Sequence, residues 1–159
     1  MKYSQKNDSH IEKRNKVLGF FPGLGSRSLY QNIGDCLLRT RNDKIVKIYR
    51  DAANALGYGD RPDKMLITPQ TLPETKIERQ GFIDASFLVH SLALDALLKE
   101  YAQRQGQELN VVAYSGESFG IITSAVASGA LSVSDGVKIA NFFTPYILMA
   151  SEMHDDPFS

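Results

Sequence analysis

The distribution of hydrophobic and polar residues along the chain predicts two short strands among helices. Residues 16–21, KVLGFF, form an apolar run that stops at Pro22, and its short length favours a buried strand over a helix. Residues 108–114, ELNVVAY, carry consecutive rather than alternating apolar residues, which is typical of a strand buried on both faces of a parallel sheet. These apolar runs are far short of the roughly 20 residues that a membrane span needs.

Helical spacing of apolar residues accounts for most of the remaining chain. Residues 29–56 predict two helices that meet near residues 39–43. Residues 57–76 carry three prolines and predict an irregular connection with at most one turn of helix. Residues 82–105 predict a third helix with its apolar residues near one face, and residues 119–127 predict a fourth.

A last helix is predicted from Ser132 toward Met153. Ser132 and Asp135 have the spacing of a capping box, with Asp in place of the usual Glu. Pro145 lies inside this segment, so we expect a kink. The order strand, helices, strand, helix, helix indicates the α/β class.

Length, charge and cysteine usage narrow the classes of function. The 159 residues suit one domain, here residues 17–159, preceded by a polar segment, residues 1–16, that is predicted to be a flexible leader. Eighteen basic residues balance eighteen acidic ones, which gives no reason to expect binding to nucleic acid or to an anionic membrane. The leader lacks the apolar centre of a signal peptide, and the one cysteine, Cys36, fits a reducing, cytoplasmic compartment. The three histidines are scattered without metal-ligand spacing, so no metal site is expected.

The motif with the clearest chemistry is G-x-S-x-G at residues 116–120. Ser118 follows a predicted strand and precedes a predicted helix, which is the context of a nucleophile elbow. The helix N-terminus favours negative charge there, and the N–H of Phe119 is placed to be half of an oxyanion hole. The motif alone is weak, however, and an ordinary glycine turn between a strand and a packed helix stays open as an alternative.

A second glycine-rich loop, residues 20–27, follows the first predicted strand. If the two strands are parallel, this loop lies at the same edge of the sheet as Ser118 and is a candidate for the second oxyanion donor. A phosphate-binding turn or a simple tight turn are the alternatives. The loop has neither the lysine spacing of a P-loop nor the G-x-G-x-x-G pattern.

Together the two loops resemble the acyltransferase family of fatty-acid and polyketide synthesis, typified by malonyl-CoA:acyl carrier protein transacylase. FPGLGSR at residues 21–27 is similar to the family's F-P-G-Q-G-S-Q, and GESFGI at residues 116–121 to its G-H-S-L-G-E. Further matches, in family order and spacing, are ALGY at residues 55–58, SGALSVSDG at residues 128–136 and, weakly, RQGF at residues 79–82. The resemblance implies the α/β-hydrolase-like large subdomain of that family, with a short parallel sheet flanked by helices.

The resemblance also implies a reaction in two halves through an acyl-serine. Ser118 would attack an acyl thioester of coenzyme A or of the phosphopantetheine arm of an acyl carrier protein, and the acyl group would pass to a second thiol or to water. The backbone N–H groups of Leu24 and Phe119 would hold the oxyanion, and Gln80 would line the site. Acyl-CoA and acyl carrier protein are then the expected partners, and no bound cofactor is expected.

Two departures from the family bear on the substrate. The family arginine that pairs with a malonyl carboxylate corresponds to Phe143, and residues 140–150 contain no cation, so we expect an uncarboxylated acyl group. The family histidine before the nucleophile is Glu117, which is either a water-orienting or acid/base carboxylate or only a polar residue at the mouth of the site. These changes resemble the acyl hydrolases of polyketide systems, so hydrolysis of acyl carrier protein thioesters is an alternative to transfer.

The third departure concerns the general base. The family's catalytic histidine follows a ferredoxin-like subdomain downstream, and this chain stops before both, so we expect a partial large subdomain with little turnover that exposes apolar surface where a C-terminal half would pack. His90 falls in a predicted helix and is interpreted as structural, and His154 lies in a polar tail. A degenerate member that docks a carrier protein or a synthase subunit is the non-enzymatic alternative.

Overall fold

The fold is described from a computed structural model, which covers residues 16–24 and 32–154. Nearly all of the predicted leader and most of the loop after the first strand lie outside these residues. The elements in chain order are β1 (Lys16–Phe21), α1 (Ile33–Arg39), α2 (Asp43–Ala55), a short 3₁₀ helix (Pro62–Met65), α3 (Lys76–Arg104), β2 (Asn110–Gly116), α4 (Gly120–Ala127) and α5 (Val133–His154).

The two strands pair in parallel, as the sequence predicts. Gly19 lies opposite Tyr114 and Phe21 opposite Gly116, with an irregularity in the register between Val17 and Leu18. Because the strands are parallel, their carboxyl ends meet at one edge, which brings the loop after β1 to the turn after β2. The described chain is therefore mixed α/β, mostly helical, with a short two-stranded parallel sheet.

Only one face of this sheet is covered by the described residues. α3 packs on the face that carries Tyr114, whereas Leu18, Phe20 and Val112 are 61%, 59% and 54% exposed on the strands. The prediction that the second strand is buried on both faces is therefore wrong for the described part of the chain, because no described element packs on the other face. β2 also begins and ends two residues later than predicted.

The central element is α3, which begins six residues earlier than predicted. Thr75 accepts a hydrogen bond from the Glu78 N–H at 3.2 Å and donates its hydroxyl to the Glu78 carboxylate at 2.7 Å, so a capping box starts the helix. Residues 84–93 are buried on every side, because the other four helices all contact α3. The predicted single apolar face is wrong for this reason.

By length and composition, α3 is also the one described helix that could cross a membrane. Its most apolar 18-residue window has a mean hydropathy of 1.5, and 67% of that window is buried within the protein. The central helix of a domain core meets the same criteria, so this finding is weak evidence for a membrane span.

The other helices agree with the sequence patterns. α1 and α2 meet at residues 40–42, and Gly57 follows α2 with φ 80°. α5 begins with the predicted capping box, in which the Ser132 hydroxyl accepts the Asp135 N–H at 3.0 Å. α3 and α5 approach so closely that a Cβ on Gly81 would overlap the backbone carbonyl of Asn141.

Candidate active site

Ser118 lies in a sharp turn between β2 and α4. The turn consists of residues 117–119, and Ser118 is exposed with φ 49°, in the left-handed region. A residue with a Cβ adopts this conformation at a cost of roughly 1–2 kcal/mol. Backbone strain of this kind is characteristic of functional sites, and a strained strand-to-helix turn is the defining feature of a nucleophile elbow.

The glycines on either side of Ser118 are required by contacts between backbones. A Cβ on Gly116 would overlap the carbonyl oxygen of Gly120, and a Cβ on Gly120 would overlap the carbonyl oxygen of Phe21. Both glycines of the G-x-S-x-G motif therefore have a steric reason. α4 can therefore begin directly against the ends of both strands only because these positions lack side chains.

The loop after β1 lies against this turn. The Glu117 N–H donates to the Phe21 carbonyl at 3.1 Å, which joins the turn to the end of β1. A Cβ on Gly23 would lie 3.2 Å from the Glu117 carbonyl oxygen and 3.4 Å from the Ser118 Cβ. The structure thus brings the two glycine-rich loops together, and Leu24, the predicted oxyanion donor, follows directly and is half-buried against the core.

Phe119 anchors the turn in the core. Its ring is fully buried and makes edge-on contacts with Phe87 of α3 and Phe143 of α5, at centroid distances of 6.0 and 6.1 Å. Its N–H, the other predicted oxyanion donor, has no hydrogen-bond acceptor among the residues described. A buried side chain beneath a free N–H at a helix N-terminus is an arrangement suited to holding negative charge.

The three predicted substrate-binding residues occupy different places. Phe143 is half-buried and reaches the elbow through Phe119, and Glu117 is exposed in the turn itself. Gln80 lies in α3, where its side-chain amide donates to the buried Asp84 carboxylate at 2.9 Å, and among the described residues no hydrogen bond joins it to the elbow. Asp84 and Gly23 were not predicted as site residues. For Asp84, the sequence signal that could have predicted its contact with Gln80 was the i, i+4 spacing of the two residues.

Of the two histidines considered from the sequence, His90 is packed in the core against Tyr49 rather than at the elbow. His90 is 1% exposed, its Nδ1 lies 3.0 Å from the Tyr49 hydroxyl, and the two rings stack at 5.5 Å. Burial lowers the His90 pKa to about 4, so the imidazole is neutral near pH 7. This bears out the interpretation of His90 as structural. His154 is the last described position of α5, and its side chain lies outside the description.

Two cavities are lined by described residues that do not include Ser118. One of about 280 Å³ runs between β1 and α3, from Val17 to Pro22. Another, of about 490 Å³, is lined by Tyr58, Glu78 and neighbouring residues at the start of α3. In the described parts of the chain, no three His, Cys, Asp or Glu side chains are grouped to hold a metal ion.

Comparisons with protein-family models, with curated proteins and with solved structures gave no match to this chain. The case for a function therefore depends on the motifs and on the geometry around Ser118.

Proposed function

We propose that this chain is the serine-bearing part of an acyltransferase of the fatty-acid and polyketide type, built on an α/β-hydrolase-like large subdomain. The observation that carries the proposal is the conformation of Ser118, an exposed serine at φ 49° between a strand and a helix. The close approach of Gly23 to the turn supports it, because a Cβ on Gly23 would lie only 3.4 Å from the Ser118 Cβ, and the loop that contains Gly23 could supply an oxyanion donor.

In the proposed reaction, the Ser118 Oγ attacks the carbonyl carbon of an acyl thioester. A C–O bond forms, the C–S bond breaks, and the thiol leaves with the proton that Oγ has lost. The N–H groups of Phe119 and Leu24 stabilise the intermediate oxyanion. An acceptor thiol then attacks the acyl-serine carbonyl, the C–O bond breaks, and Oγ regains a proton. Attack by water in place of the acceptor thiol gives hydrolysis. Glu117, directly before Ser118 in the chain, is the ionisable side chain nearest to Oγ in sequence.

An uncarboxylated acyl group suits the surroundings of the elbow better than a malonyl group. The ring of Phe143 packs on Phe119, at the position where the acyltransferase family that the sequence resembles has an arginine. A carboxylate buried beside these rings without a cation would cost several kcal/mol. We therefore propose acetyl to medium-chain acyl groups, carried by coenzyme A or by an acyl carrier protein in the cytoplasm, as the substrates.

The test is the intact mass of the protein after incubation with acetyl, octanoyl and malonyl thioesters. We expect a mass increase with the first two donors that is lost in Ser118→Ala. Ser115→Ala is the matched control, because Ser115 is an exposed serine on β2, three residues before Ser118. Release of free acid after the mass increase identifies hydrolysis, and release only on addition of a thiol identifies transfer.

Three outcomes would contradict the proposal. The nucleophile is wrong if the mass increase persists in Ser118→Ala or if no donor modifies the protein. The substrate class is wrong if the malonyl thioester modifies Ser118 faster than the acetyl thioester does.

A further inference from the structure

A group of three polar side chains joins α3 to β2 away from Ser118. Lys99 and Asp95, one helical turn apart, form an ion pair at 2.7 Å. The Tyr114 hydroxyl lies 3.2 Å from the same Asp95 oxygen and also accepts a hydrogen bond from Lys99. The ammonium group stands 5.0 Å from the centre of the Tyr114 ring. Partial burial, the largest single influence, lowers the pKa of the Lys99 ammonium group. The hydrogen bonds of this group to Asp95 and Tyr114 together outweigh that effect, so the pKa of Lys99 is raised overall.

This group differs from the other ion pairs along the helices. The Lys47–Asp51 pair has the same i, i+4 spacing, but both partners lie on α2 and the lysine side chain is 70% exposed. In the α3 group the Asp95 side chain is only 20% exposed, and the third member belongs to a strand. The α3 group therefore fixes one element relative to another, which an ion pair within one helix does not do.

The Tyr114 ring in turn holds β1. The Cδ1–Cε1 edge of the ring lies against Gly19, where any Cβ would overlap it, and the ring stacks on Phe21 at 5.8 Å with an angle of 20° between the planes. Gly19 is thus the residue that lets an aromatic ring lie across the neighbouring strand. Through this ring, the position of Phe21 depends on where α3 holds the Tyr114 hydroxyl.

Phe21 connects this arrangement to the elbow. Its carbonyl accepts the Glu117 N–H at 3.1 Å and is the group against which Gly120 packs. Ser118 lies between these two contacts, so a displacement of Phe21 moves both ends of the turn that holds Ser118. A contact path of side chains and backbone therefore runs from α3 through Tyr114 and Phe21 to the turn.

We propose that Tyr114, held by Asp95 and Lys99, is a positioning residue for the Ser118 nucleophile. This inference rests on the proposed function for its kinetic consequence. Tyr114 does not touch the reacting atoms. It fixes Phe21, and Phe21 fixes the turn in which Ser118 adopts its strained conformation.

The expected consequence is a slower acylation step with unchanged substrate binding. Tyr114→Phe keeps the stacked ring and removes the hydroxyl that α3 holds. A small misplacement of a reacting group remote from the mutation costs up to about a hundredfold in rate, so we expect a loss of about tenfold. Asp95→Asn is expected to act in the same direction, while the donor concentration at half-maximal rate stays within about twofold.

The experiment measures the single-turnover rate of Ser118 acylation by an octanoyl thioester and the hydrogen exchange of the Glu117 amide. Tyr114→Phe and Asp95→Asn are compared with Asp51→Asn, the matched control in the exposed α2 pair. We expect both test variants to slow acylation and to speed Glu117 exchange, and the control to change neither. The conservative Phe substitution keeps the ring in the core, and circular dichroism verifies that it folds.

Separate outcomes overturn the two proposals. If both test variants acylate at the wild-type rate, or if only the thermal midpoint falls while the rate and Glu117 exchange stay the same, Tyr114 is structural and the inference is wrong. If the wild-type protein is not acylated, the proposed function fails, and Glu117 exchange alone decides whether Tyr114 holds the turn.

Discussion

The left-handed conformation of Ser118 makes a prediction about stability that is opposite in sign to the usual one. Glycine normally destabilises a protein relative to alanine, because the unfolded chain gains freedom worth about 0.4–1 kcal/mol. At φ 49°, however, alanine carries the roughly 1–2 kcal/mol cost of a Cβ in the left-handed region, and glycine does not. Ser118→Gly is therefore expected to be more stable than Ser118→Ala by about 0.5–1 kcal/mol.

Both variants remove the same hydroxyl, so the difference between them isolates the backbone. For a chain of this length we expect the thermal midpoint of Ser118→Gly to lie about 2 °C above that of Ser118→Ala. Urea unfolding gives the free energy of unfolding for the same pair. Neither variant should be acylated, so the gain in stability would accompany a complete loss of the proposed activity.

The matched control is the same pair of substitutions at Ser124, in the regular part of α4. Its hydroxyl donates to the Ile121 carbonyl at 2.8 Å, and both control variants lose this bond. There the helical conformation predicts the ordinary order, with Ser124→Ala more stable by about 0.5–1 kcal/mol. The reasoning is refuted if alanine is the more stable residue at both positions, because Ser118 would then carry no left-handed strain.

Three further predictions follow from buried contacts. Because burial holds the His90 pKa near 4, against 6.5 when unfolded, the folded protein should lose up to about 3 kcal/mol of stability as the pH falls from 6.5 to 4, and His90→Gln should remove this part of the pH dependence of urea unfolding. Gly120→Ala should lower the free energy of unfolding, measured with urea, by at least about 2 kcal/mol, because the added Cβ would overlap the Phe21 carbonyl. Gly106→Ala, which has open space around the added Cβ, should lower it by only about 1 kcal/mol. Thr123→Val should raise the free energy of unfolding by about 1 kcal/mol, because the fully buried Thr123 hydroxyl has no hydrogen-bond partner in the described structure. Urea unfolding measures this change, and a lower urea midpoint than that of the wild type would contradict the prediction.

Local patterns were sufficient to predict the main elements of the fold. The apolar run before Pro22, the stop at Gly57 and the Ser132 capping box each depend on neighbouring residues only, and all three agree with the structure. The predicted start of α3, at residue 82, left out the first six residues of the helix, among them Gly81. The role of Gly81 is set by the carbonyl of Asn141, which lies far along the sequence.

The candidate site was predictable in its motif but not in its contacts. The glycines around Ser118 indicated a tight turn, and the structure shows the backbone contacts that require them. Gln80 associates with Asp84 within α3 rather than with the elbow. The hydrogen bonds that join Tyr114 to Asp95 and Lys99 depend on side-chain packing between α3 and β2. Hydrophobic periodicity carries no information about such pairings.

The contact between β1 and the turn at Ser118 has a consequence for the order in which the protein folds. Phe21 and Glu117, which share a hydrogen bond, are roughly a hundred positions apart in the chain. Closing so long a loop costs entropy before any contact is gained, and parallel pairing between distant strands forms slowly. The helices between the strands can form earlier, from local contacts. During synthesis, we expect the strained serine to form only after the ribosome has released the chain beyond α4. Local unfolding that frees β1 would remove the hydrogen bond between Phe21 and Glu117 that holds one end of the turn.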